Sequence, residues 1–107
     1  MVMQRFEIWL VTLDPAVGSE MQKPRPAVVL SPDEMNTRLN TVLVAPLTRR
    51  GFAAPFRVPC QFSKVDGQIA LDHLRSVDKR RLARKLGKLD QAKARQVLAI
   101  LREKFEE

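Results

Sequence analysis

PRPAVVLSPDEMNTRLNTVLVAPLT, residues 24–48, sets two apolar runs on either side of one short polar segment. Residues 27–30 read as a short buried strand and residues 41–48 as another. Between them, Ser31, Pro32 and Glu34 occupy the positions of an N-cap, an N1 proline and an N3 glutamate. That arrangement predicts a short helix closed by a capping box, with Met35 and Leu39 on its apolar face. Pro26 has no N–H for a ladder and belongs at the first residue or the edge of its strand. With a proline on each side, Arg25 has restricted backbone freedom and is held in place at the strand's mouth.

Working outward, residues 6–13 (FEIWLVTL) are apolar almost throughout and stop at Asp14-Pro15, so they predict a strand ended by a turn. A polar loop follows from Val17 to Lys23. Residues 49–55 have loop composition, and Phe56, Arg57 and Val58 alternate. Gly67 opens a run that alternates Ile69, Leu71 and His73 against Ala70, Asp72 and Leu74, which favours a strand. Asp78 is placed to cap a helical turn through Leu82, and Gly87 interrupts the chain before Leu89. Asp90 caps the clearest helix, with Ala94, Val97, Leu98, Leu101 and Phe105 spaced by three or four. Short connections between short strands favour an antiparallel, SH3-like small barrel, mainly β with a short helix and a C-terminal helix, over a βαβ sheet. The 107 residues fit a single domain, 1–107, with no repeat or linker.

Composition narrows the chemistry. No apolar run approaches the ~18 residues of a membrane span, and no secretory signal is visible, so a cytoplasmic protein is expected. The lone Cys60 reads as a small buried thiol and Trp9 as core. Of the formal charge of +7, +6 lies in residues 79–107, beginning with KRRLARKLGK at 79–88, which is either an anion footprint or a solvated face. One histidine rules out a two-histidine acid–base pair within the chain. The acidic residues are scattered, zinc spacing is missing and the four glycines are isolated, so any catalysis is expected to need neither metal nor cofactor.

What remains is a set of polar residues at strand ends: Arg25, Thr48, and the group Asp72, His73, Arg75 and Ser76. An arginine and a threonine hydroxyl can stabilise the charge that develops when a ribose 2′-OH attacks its own phosphodiester. Each residue also has a plainer reading. Arg25 could pair with Glu20 or Asp72, Thr48 could simply end a strand, and His73 could be a hydrogen-bonded core residue. Phe52, beside two arginines, suits either base stacking or loop anchoring.

In order along nearly the whole chain, residues 6–10, 13–15, 17–20, 25–31, Asn36, 45–48 and 71–79 resemble the MazF/PemK toxins of type II toxin–antitoxin modules, and the spacing of GSE, RP and APLT is specific. The resemblance implies a homodimeric barrel that cleaves single-stranded RNA at a short sequence without metal, leaving a 2′,3′-cyclic phosphate and a 5′-hydroxyl. It implies Arg25 and Thr48 as the catalytic pair. Ser19, Glu20 and Lys23 then fall in the loop beside the site, with Phe52 in the loop after Thr48. Asp72, His73 and Arg75 fall in the segment that binds or processes RNA. It further implies an antitoxin whose acidic, disordered tail covers the RNA groove. Many relatives carry glutamine where this chain has His73, and some carry arginine where it has Ala70. Two other classes compete: a CcdB-like gyrase poison without enzymatic activity, and a basic RNA- or DNA-binding module without turnover.

Overall fold

A computed structural model describes residues 2–12, 24–49, 51 and 53–106. Among the described residues, seven strands, two helices and two single 3₁₀ turns follow in order: β1 (Glu7–Val11), β2 (Arg25–Val29), α1 (Asp33–Arg38), β3 (Thr41–Arg49), β4 (Arg57–Phe62), β5 (Val65–Ala70), a turn at Leu71–His73, β6 (Arg75–Asp78), a turn at Lys79–Arg81, β7 (Leu82–Lys88) and α2 (Gln91–Phe105). Every strand pair is antiparallel. The sheet runs β4-β5-β3-β2-β1-β7, with β6 also on β3, and coils around the core without closing. The expected small antiparallel β architecture with a C-terminal helix is therefore present, as an open sheet.

β3 organises the site. It pairs with β6 through Thr41–Val44 and with β5 through Leu47–Arg49, and changes partner at Ala45-Pro46. Pro46 has no N–H to donate, so it sits where the ladder on that side is interrupted. The chain must leave β5 and re-enter as β6 across the same gap. This is why the run expected as one strand from Gly67 to Leu74 instead ends at Ala70 and turns a corner at Leu71–His73. On the other side, Ala27–Val29 pair with Pro46–Val44; Pro26, expected at the first residue or edge of its strand, is instead the second residue of β2, opposite Leu10 of β1 and one residue outside the β3 ladder.

Period-two alternation divides the apolar residues between two faces. One face holds Ile8, Val28, Leu30, Ala45, Leu47, Val58 and Ile69 with Val97 of α2. The other holds Trp9, Val11, Ala27, Val29, Val42, Val44, Val77 and Leu82. Both sets are buried, and so is Cys60, whose thiol pKa is pushed up by desolvation.

Local chemistry shifts several boundaries. The first strand begins at Glu7 because Phe6 lies at φ 72°, outside the extended range. α1 has no side-chain cap; Pro32 is its N-cap residue. Ser31 does not cap, because its hydroxyl donates to Asn36 Oδ1 and accepts from the Leu43 amide at 3.1 Å, while Asn36 Nδ2 donates to the Ser31 carbonyl at 3.0 Å. Asn36, not Leu39, is the residue α1 buries. Asp78 accepts from the Arg80 amide at 2.8 Å and caps the 79–81 turn as expected. The next seven residues form β7 on the edge of β1. Nothing in their lysine- and arginine-rich composition announces a strand, yet charged side chains are what a free sheet edge needs to resist pairing with another chain. Asp90 caps α2 by accepting from the Lys93 amide at 2.7 Å. Ala94 and Val97 face the core, whereas Phe105, expected on the same stripe, is 70% exposed in the last turn.

Candidate active site

Strand register assembles the site. Val11 of β1 stands opposite Leu82 on one side and Arg25 on the other. The β2–β3 register, continued two residues beyond Ala27↔Pro46, sets Arg25 across from Thr48. Because residues two apart share a face, Arg25 and Ala27, then Val44, Pro46 and Thr48, then Arg75 and Val77 all point the same way. They line a cleft of about 280 Å³ together with Val11, Thr12, Pro26, His73 and Arg81. An apolar floor of valines, alanine and prolines thus carries a rim of three arginines, two threonines and a histidine.

Thr48 is the anomaly in this wall. Its Oγ1 is buried and has no hydrogen-bond partner among the described residues, although an unsatisfied buried hydroxyl costs about 1–3 kcal/mol. Thr48 is positioned from behind by β5, where Gly67 approaches so closely that a Cβ there would stand 2.8 Å from the Thr48 carbonyl oxygen. Gln68, opposite Thr48 and buried, accepts from the Gly51 amide at 3.2 Å and ties down the chain leaving β3.

The expected alternative partner of Arg25 is committed elsewhere. Asp72 is gripped by Arg57 of β4 through Nε at 2.6 Å and Nη2 at 2.9 Å. These hydrogen bonds hold the Asp72 carboxyl below the usual carboxylate range and raise the Arg57 guanidinium. Among the described residues, Arg25 and Arg75 have no ion-pair partner. Asp72 does not itself line the cleft. It reaches the site through His73, whose Nε2 lies 3.3 Å from Asp72 Oδ2. The His73 ring is 61% exposed, not the core residue that strand alternation suggested, because the corner after Ala70 takes it out of the ladder.

Ser19, Glu20, Lys23 and Phe52 lie outside the described residues. Sequence reasoning missed Arg57, which only topology brings to Asp72. It also left the basic 79–88 stretch undivided. In the structure this stretch contributes Arg81 to the cleft, binds Arg80 to Asp78 at 3.1 Å and sends Lys85 to Glu7 at 3.1 Å. Three or more His, Cys, Asp or Glu side chains able to hold a metal are not gathered among the described residues. No helix among those residues is long and apolar enough to cross a membrane.

Comparison with known proteins agrees with this geometry. The chain is 38% identical over 106 residues to endoribonuclease MazF9 of Mycobacterium tuberculosis, covering 90% of each chain. It is 36% identical over 102 residues to endoribonuclease MazF of Staphylococcus saprophyticus, covering 90% of this chain and 85% of the relative. Among solved structures it resembles MazF of Deinococcus radiodurans at 30% identity, with a TM-score of 0.77 over 96% of both chains. It also resembles a MazE–MazF structure from that organism at 28% identity, with a TM-score of 0.82 over 96% of this chain and 95% of the other. Residues 4–105, and with them the whole arginine-rimmed cleft, match the model of the PemK-like, MazF-like toxins of type II toxin–antitoxin systems, and the chain belongs to that family.

Proposed function

We propose that this protein is an endoribonuclease toxin that cuts single-stranded RNA by attack of a ribose 2′-hydroxyl on the adjacent phosphorus, leaving 2′,3′-cyclic phosphate and 5′-hydroxyl ends. The observation that carries the reading is the orphaned Thr48 Oγ1 set opposite Arg25 in the cleft. A buried hydroxyl without a partner among the described residues is poised to donate to a non-bridging phosphate oxygen. A guanidinium without a carboxylate can fork onto the same group as negative charge builds in the transition state. Arg75 and Arg81 extend the positive surface along which the backbone of a bound strand lies. The requirement for a 2′-hydroxyl limits the reaction to RNA. No metal enters this chemistry, since the cations that stabilise the phosphate belong to side chains.

The same cationic rim and the net charge of +7 suit neutralisation by the acidic segment of a cognate antitoxin. A homodimer in the cytoplasm completes the reading. The test is incubation of the purified protein, with excess EDTA, on a long single-stranded RNA, mapping the ends beside an Arg25→Ala control. Discrete cuts with 5′-hydroxyl ends that vanish in the folded variant are expected. If antitoxin-free, folded wild type leaves varied RNAs uncut, the enzyme reading fails.

A further inference from the structure

Resting on the ribonuclease reading above, we propose that His73 is a catalytic residue, the general base that takes the 2′-hydroxyl proton, and that Asp72 is the positioning residue that orients it. A reaction of this kind must move a proton away from O2′, and neither Arg25 nor Thr48 is suited to accept one: a guanidinium is protonated at any physiological pH and a neutral hydroxyl is a weak base. Among the described residues lining the cleft, His73 alone carries an imidazole, whose neutral form has a ring nitrogen that can accept a proton.

The geometry around the ring supports the role. Asp72 Oδ2 lies 3.3 Å from His73 Nε2, within ion-pair distance, so the carboxylate stands beside the ring that becomes positively charged when it accepts a proton. The carboxylate is itself fixed, because Arg57 holds both its oxygens. The carbonyl of Leu71, one residue earlier, accepts from Lys104 Nζ of α2 at 3.1 Å and braces the same corner from the far side. Among the described residues, the charged groups around the imidazole are Asp72 beside it, Arg57 of β4 behind Asp72, and Arg25 of β2, Arg75 of β6 and Arg81 of the turn before β7 along the cleft.

In the step, the imidazole accepts the 2′-hydroxyl proton as O2′ bonds to phosphorus, the bond from phosphorus to O5′ breaks, and the departing O5′ takes a proton from water. The imidazolium then returns its proton to solvent. The net change moves one proton from O2′ to O5′, with no redox partner.

The test is the pH dependence of single-turnover cleavage by wild type and His73→Gln, with RNA affinity measured separately. Glutamine keeps a hydrogen-bonding side chain but cannot accept the proton. The expected result is a wild-type rate that climbs with pH and then levels, as general-base catalysis requires. His73→Gln should be slower by about 10²-fold or more, have no such limb and bind RNA with little change. A His73→Gln enzyme that keeps the limb, or cuts within a few-fold of wild type, overturns the proposal while leaving the ribonuclease reading standing. A folded wild type that cuts no RNA overturns both.

Discussion

Glu7 and Thr48 are polar side chains in the same sheet, and the chain treats them in opposite ways. Glu7 of β1 is only 3% exposed, yet its carboxylate is fully engaged. Oε1 accepts from the Gln4 amide and from Trp9 Nε1, each at 2.9 Å, and Oε2 meets Lys85 Nζ at 3.1 Å. Burial alone would raise its pKa, but those three partners outweigh it and hold the carboxyl below its ordinary value. Thr48 of β3 has a buried hydroxyl with no hydrogen-bond partner among the described residues. The first site spends its polarity inside the fold and links β1 to β7; on the proposed reading, the second keeps its polarity for the RNA phosphate. A saturated group stabilises, and an unsaturated one is a cost that only binding or catalysis offsets.

The sharpest way to break this contrast is to remove the cation across from Thr48. Arg25→Ala should lower RNA cleavage by about 10³-fold while urea unfolding stays at the wild-type midpoint, because Arg25 is exposed and unpaired among the described residues. A midpoint that falls in step with activity would move Arg25 to the structural side of the comparison. Glu7→Ala should do the reverse. Leaving the Trp9 indole and the Gln4 amide without an acceptor should cost about 2–4 kcal/mol of stability, read by urea titration, with cleavage per folded molecule unchanged.

The pH dependence has a fixed sign. A carboxylate depressed in the folded state stabilises above its unfolded pKa, and that contribution is lost as pH falls through the folded value. Wild type should therefore lose more stability on acidification from neutral pH to below the carboxylate range than Glu7→Gln does. Equal losses would mean that the Glu7 network contributes nothing. Between the two regions stands Gly67→Ala, whose new Cβ would press on the Thr48 carbonyl. Overpacking there should cost about 2 kcal/mol and slow cleavage as well, and a change in stability alone would show that the position of Thr48 tolerates movement.

Much of this arrangement was legible in the sequence, and the remainder depended on pairing. Arg25, held by its prolines, and Thr48, at the end of β3, could be singled out because their type and position mark strand ends. Asp90 and Asp78 announced their caps because capping is local chemistry. β6 and β7 were invisible, since their residues become strands only against β3 and β1. The Arg57–Asp72 grip joins residues fifteen apart across β4 and the corner after β5, and no local pattern encodes it. His73 was assigned to the wrong face because alternation was carried past Ala70, where the partner switch at Pro46 breaks it.

Thr48→Val gives the most direct test of the central claim, because it exchanges one hydroxyl for a methyl of nearly the same shape. Cleavage rate and unfolding free energy should be measured on the same preparation. The account predicts cleavage slower by about 10²-fold in a protein as stable as wild type, or more stable by about 1 kcal/mol. A variant that cuts RNA at the wild-type rate, or that loses stability along with activity, would contradict it.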